Sequence, residues 1–239
     1  MLPSTKKSHF NIDLPSKKTV KISPFSGHTE KAFLTVKASK DNSMIMQTVI
    51  DALSECVEGG VNVGDLIQVD FEYLFLKMFE ISVANEISVG LKCSNCPEVM
   101  KANIPISAIK PPKVDKTSFT IAVGKDADTN KDVNVVFDYP SINAILNAEN
   151  SGDERDTELM WGSLKGVYIE DKLLETTKEE FIPWMLDQNK LYSKILKQLA
   201  EIPKLSFRRK WKCEKCGTEN ETVLEGLNSF FTLSQPIQI

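Results

Sequence analysis

At 239 residues, with 41% hydrophobic and 26% charged side chains, the chain can bury a core of its own, as one domain or as one domain carrying an insertion. A net charge of −4 argues against a general nucleic-acid-binding surface, and no run of about 18 apolar residues is present to span a bilayer. Residues 1–11 are polar and lysine-bearing without the apolar stretch of a secretory signal, and five cysteines, four of them in CxxC pairs, favour a metal over disulfides in a reducing cytoplasm.

Residues 8–25 read as two short extended segments around the turn Pro15-Ser16-Lys17-Lys18, closing at Ser23-Pro24. Ala32, Phe33 and Val36 begin an apolar stripe that predicts a helix over 28–38. Ile45, Val49, Leu53 and Cys56 recur at helical spacing behind the N-cap candidates Asp41, Asn42 and Ser43, and Gly59-Gly60 stops that helix. The strongest helix falls over 70–83, where Phe71, Leu74, Phe75 and Met78 line one face while Tyr73 and Leu76 are apolar on another. A helix apolar on two sides sits in the middle of a domain or beneath a partner protein.

The first cysteine pair, Cys93-Ser94-Asn95-Cys96, lies between the runs 89–92 and 99–106. Lys110-Pro111-Pro112-Lys113 then marks a stiff linker and a subdomain boundary. Phe119, Ile121 and Val123 alternate with polar residues, as do Val133, Val135 and Phe137, which predicts a β-hairpin. Its loop opens like a calcium loop with Asp126, Asp128 and Asn130, but Lys131 stands where the tight turn needs Gly and Phe137 where a bidentate Glu is required, so a solvated loop is expected. Short helices are expected near 141–147 and 156–164, separated by the loop 149–155. Thr177-Lys178-Glu179-Glu180 fits a capping box, with Pro183 either in the first turns or breaking the helical region in two. Leu191, Ile195, Leu196 and Leu199 carry an apolar face towards Pro203, and Cys213-Glu214-Lys215-Cys216 follows.

Two CxxC pairs supply four thiolates, the full tetrahedral shell of a structural zinc ion. Both are flanked by strand-like runs, the layout of a zinc ribbon whose two hairpin knuckles face each other across one metal. Residues 97–212 separate the pairs, far more than the about 15–20 of a compact four-cysteine site, so the intervening chain must fold as an insertion and return. A redox CxxC normally opens a helix, which lowers its thiolate pKa. Pro97 after Cys96 and Gly217 after Cys216 suit tight knuckles better.

The expected fold is therefore α+β: a split four-cysteine zinc ribbon joins an N-terminal α+β region to an inserted hairpin-plus-helices subdomain. The N-terminal hairpin and helices take 1–90, the ribbon 91–106 and 206–227, the insertion 107–205, and a tail 228–239. Cys93, Cys96, Cys213 and Cys216 are the metal ligands, and structural Zn2+ is the cofactor. Such a closed site leaves no position for substrate. Cys56 reads as a buried core thiol, and His9 and His28 as surface residues. No nucleophile elbow, histidine-bearing metal site or paired acid and base is recognisable, so no enzymatic activity is expected. The basic run Phe207-Arg208-Arg209-Lys210-Trp211-Lys212 supports an alternative, a zinc-ribbon nucleic-acid-binding factor that contacts phosphates and stacks bases. A charged edge that discourages unwanted strand pairing accords better with the acidic whole.

Four runs, in order, resemble the baseplate hub assembly proteins of T-even-like contractile-tail phages. They are Leu14-Pro15-Ser16-Lys17-Lys18 through Ser23-Pro24-Phe25 to Glu30-Lys31-Ala32-Phe33-Leu34; Val69-Asp70-Phe71-Glu72-Tyr73-Leu74-Phe75-Leu76-Lys77 with Ser82-Val83; the two cysteine knuckles; and Glu225-Gly226-Leu227-Asn228-Ser229-Phe230-Phe231. Together they cover roughly the first 106 residues and the last 30. The chain departs from the family pattern at Phe79, where an Arg is expected nearby, and at Ala84-Asn85, where a Gly is expected after Val83. The resemblance implies a non-enzymatic structural or assembly component of the baseplate hub. It would bind other tail baseplate proteins, in multiple copies of a symmetric assembly, with no membrane or nucleic-acid partner. It would act in the host cytoplasm during assembly, or remain in the virion tail baseplate. Phe71, Tyr73 and Leu76 are the expected partner contacts on the helix, while Phe230 and Phe231 either fill a partner pocket or pack back on the ribbon.

Overall fold

The computed structural model describes residues 8–36 and 42–226, an α+β architecture built round three clusters of buried side chains. Strands β1 (Phe10–Asp13) and β2 (Thr19–Ile22) pair antiparallel from Phe10↔Ile22 to Asp13↔Thr19, and the short β3 (Val57–Glu58) adds beside β2. Their turn closes with the Leu14 amide donating to Lys18 O and the Lys17 amide to Leu14 O, each at 2.8 Å. Helices α1 (Gly27–Val36), α2 (Asn42–Cys56) and α3 (Gln68–Ser82) complete this part. Leu14, Val20, Ile22, Leu53 and Cys56 meet Phe71, Leu74 and Met78 of α3 in the first core. The Phe33 and Val36 side chains of the predicted stripe, and those of the cap candidates Asn42 and Ser43, fall outside the described residues, as does Asp41.

Helix α3 is the pivot of the fold. It has no Gly or Pro, and Asp70 in its first turn suits the positive end of the helix dipole. Phe71, Leu74, Phe75 and Met78 face the first core, while Leu76 enters a second one with half-buried Tyr73 and Phe79 beside it. On the second apolar face, where a partner was expected, the chain itself covers Leu76, which is 1% exposed, while Tyr73 stays half-buried; Phe71, on the first face, is 0% exposed.

That second core lies between two antiparallel hairpins. One joins β4 (Glu86–Lys92) to β5 (Val99–Pro105), the other β10 (Ser206–Lys212) to β11 (Glu219–Glu225). Alternation along β4 sends Ile87, Val89 and Leu91 inward, where they meet Ala102, Ile104, Leu205, Trp211 and Leu224. Residues 106–205 separate the hairpins in the sequence, so their meeting is a tertiary event.

Between them the chain builds a four-stranded antiparallel sheet in the order β6 (Ser118–Lys125), β7 (Asp132–Asp138), β8 (Leu164–Ile169), β9 (Lys172–Leu174). The predicted hairpin is its β6–β7 half. Helices α4 (Ile142–Glu149), α5 (Arg155–Ser163), α6 (Lys178–Asp187) and α7 (Leu191–Ala200) accompany it. Val135, Phe137, Met160, Phe181, Met185 and Ile195 form the third core. Within this segment α4 turns the other way, placing Ile142 and Leu146 in the first core, with the Ile142 amide donating to Leu66 O at 3.0 Å. The capping box is present at the start of α6, where Glu180 accepts from the Thr177 amide at 3.1 Å. Pro183 lies inside α6 without ending it; the break before α7 comes at 188–190, with Lys190 left-handed at φ 59°. No helix among the described residues is long and apolar enough to cross a membrane.

Candidate metal centre

Each hairpin ends in a cysteine knuckle closed by the same backbone bond. The Cys93 amide donates to Glu98 O at 3.0 Å, and the Cys213 amide to Thr218 O at 2.9 Å. In the second knuckle the Gly217 amide also returns to Cys213 O at 2.9 Å, which places Gly217 at φ 71°, where a side chain would be strained. These tight ends turn both sulfurs of a pair to one side, and the two hairpins meet knuckle to knuckle.

The four sulfurs of Cys93, Cys96, Cys213 and Cys216 lie within 4.8 Å of one another. Two close pairs run between hairpins: Cys93 to Cys216 at 3.7 Å and Cys96 to Cys213 at 3.6 Å. A disulfide needs about 2.05 Å. A tetrahedral metal with bonds of about 2.3 Å holds its sulfurs about 3.8 Å apart, which these separations match. The donor set is wholly sulfur, and soft thiolates suit zinc or iron rather than calcium or magnesium. The site therefore fits a single metal ion with four protein ligands. Cys93 and Cys213 are buried, Cys96 is half-buried, and Cys216 is exposed.

The thiols differ in acidity. The Thr218 hydroxyl, 3.2 Å from the Cys216 sulfur, and then the Thr218 amide draw Cys216 down to about 6. The Asn95 amide, 3.4 Å from the Cys93 sulfur, lowers Cys93. At Cys96 the Glu98 amide pulls downward, but desolvation and the three neighbouring thiols outweigh it and push the group to about 12. In a metal-free chain the cluster thus carries protons that an incoming cation must displace.

Two buried carboxylates on α3 seat the surrounding chain. Asp70, 1% exposed, accepts from the Ser16 amide at 2.9 Å and the Ser16 hydroxyl at 2.5 Å, pinning the turn after β1. Glu72, 2% exposed, accepts from the Leu205 amide at 3.0 Å just before β10 and from Gln68 Nε2 at 2.8 Å. Neither acid was singled out from the sequence. Their signal was position: two acids inside the otherwise apolar run 69–76.

The basic strand β10 is compensated by its neighbour. Lys210 stands opposite Glu221 and Lys212 opposite Glu219, while Arg208 reaches Glu221 at 3.2 Å. Trp211 is turned inward, 8% exposed, with its Nε1 donating to Thr222 Oγ1 at 2.9 Å, and half-buried Phe207 packs against the second core. His9 pairs with Glu58 at 2.7 Å on the surface, and His28 is exposed. Cys56 is buried in the first core, away from the cysteine cluster. Phe230 and Phe231 lie outside the described residues.

No curated protein and no solved structure matches the chain. A family model described as T4 bacteriophage base plate protein matches residues 5–232, a span that takes in both cysteine knuckles, the pivot helix and the sheet between them. On that match the chain belongs to the T4 bacteriophage base plate protein family.

Proposed function

We propose that the protein is a non-enzymatic structural or assembly component of the hub region of a contractile phage tail baseplate, in which one zinc ion held by Cys93, Cys96, Cys213 and Cys216 staples the two hairpins together. The observation that carries the zinc reading is the crossing of sulfur pairs between hairpins at 3.6 and 3.7 Å. The baseplate reading rests on the family match over residues 5–232.

The physical role of the ion is mechanical. A cross-link that closes a loop on the order of 100 residues removes about 4–5 kcal/mol of chain entropy from the unfolded state. Bound zinc would supply that constraint without an oxidising compartment. It would also keep the hairpins from sliding, so that the subunit presents a fixed surface to neighbouring tail proteins. The protein would work in the host cytoplasm during assembly and in the tail baseplate afterwards, in several copies arranged with the symmetry of the tail. Phe230 and Phe231 are proposed as partner contacts on the ground that aromatics dominate interface energetics. The α3 residues Phe71 and Leu76 are not, because they are buried within the chain.

The test is co-purification from infected cells. The full chain should be found in baseplate intermediates with other tail proteins, and F230A/F231A should reduce its incorporation. A chain that stays monomeric and never enters such intermediates would refute the baseplate role.

A further inference from the structure

Asn220 is not one of the four sulfur donors, yet its side chain joins both knuckles. From β11 its Oδ1 accepts from the Ser94 amide at 2.9 Å and from the Ser94 hydroxyl at 2.8 Å, across the gap on the first knuckle. Its Nδ2 donates to Thr218 O at 2.9 Å on its own knuckle and lies 3.7 Å from the Cys93 sulfur. An asparagine has two acceptor lone pairs and two N–H donors. All are engaged here, and every partner belongs to a knuckle. The partners also fix the orientation of the amide, since two donors face its oxygen while a carbonyl and a sulfur face its nitrogen.

None of these bonds needs a metal. Aligning the two CxxC pairs, whose hairpins share one register, puts Met100 of β5 where Asn220 stands in β11, and Glu214 where Ser94 stands. Met100 has no donor to make the reciprocal bridge. The latch is therefore one-sided, and this pair of residues has no counterpart to replace it. We propose that Asn220 is the positioning residue of the four-cysteine site: it sets the register of one knuckle against the other and aims Cys93, so that the ion enters a cage already formed. The inference rests on the metal-binding reading above and adds to it a residue outside the ligand set. Partners of metal ligands tune affinity by about 10–100-fold when removed.

The experiment uses the full chain loaded with zinc or cobalt(II), with N220A and N220D beside wild type. Metal transfer to an excess of chromophoric chelator should be about 10–100-fold faster from N220A. In the metal-stripped proteins the Ser94 amide should exchange with deuterium on the order of tenfold faster in N220A, as expected for an amide freed of its acceptor. N220D keeps the acceptor and loses both donors, so Ser94 should stay protected while metal release still accelerates and the cobalt absorption bands shift. A purely structural role for Asn220 would leave the cobalt bands in place. If wild type and N220A release metal within twofold of each other with unchanged Ser94 exchange, the latch is refuted while the metal site stands. If wild type takes up no metal, the metal site falls and the positioning role with it.

Discussion

Replacing Glu72 by Ala should loosen the seat of the second hairpin on α3. The carboxylate is 2% exposed and takes the Leu205 amide at 3.0 Å, and Leu205 itself is fully buried. Removing it withdraws a charge-assisted hydrogen bond worth about 1.5–3 kcal/mol and leaves a buried donor that costs about 1–3 kcal/mol to strand. Relief of a buried charge offsets part of this. A net loss of about 2–4 kcal/mol follows. Glu72→Gln retains an oxygen for the Leu205 amide and should lose less than half as much. Urea unfolding of the metal-stripped chain, read by tryptophan fluorescence, measures the difference, since Trp211 reports on the hairpin core and Trp161 and Trp184 on the third one. Amide exchange should show the loss first at Leu205 and Gly226, which share a 2.9 Å backbone bond at the open end of the hairpin. An E72A variant within about 0.5 kcal/mol of wild type, the range of an ordinary surface substitution, would refute the seating role.

Ser16→Ala removes the hydroxyl bond to buried Asp70 and should destabilise the chain by about 1–2 kcal/mol in the same unfolding assay, with the β1–β2 turn exchanging fastest. Zinc uptake at neutral pH should release protons, since Cys96, pushed up to about 12, holds its proton until the ion displaces it. Calorimetry in two buffers of different ionisation enthalpy measures this; affinity should fall as pH falls, and uptake without proton release would contradict it. R208A/R209A/K210A should leave DNA and RNA affinity at low salt unchanged, because Arg208 and Lys210 face Glu221 on the neighbouring strand. A salt-dependent affinity that drops in this variant would support the nucleic-acid alternative instead.

What could be read from the sequence was what repeats locally. The apolar spacing of Phe71, Leu74, Phe75 and Met78 predicted α3, and the Thr177–Glu180 box marked the start of α6 within a residue. The two CxxC pairs named four residues that the structure gathers within 4.8 Å. Strands β8 and β9 were not anticipated. Leu164 follows α5 with no Gly or Pro between them, and Gly166 interrupts the alternation of β8. A Cβ on Gly166 would lie 2.3 Å from the end of the exposed Leu173 side chain on β9, which would have to turn aside. The two-sided apolarity of α3 was visible, but whether its second face met a partner or the chain itself depended on hairpins arriving from distant sequence. The same holds for Asp70, Glu72 and Asn220, whose partners lie 54, 133 and 126 residues away. Periodicity carries no information about such contacts.

The four-thiolate staple is tested most directly by metal analysis of the purified full chain combined with X-ray absorption at the zinc edge. The expected result is one zinc per chain with four sulfur neighbours at about 2.3 Å. A chain without tightly bound metal, or one whose zinc has nitrogen, oxygen or fewer than four sulfurs around it, would contradict the centre formed by Cys93, Cys96, Cys213 and Cys216.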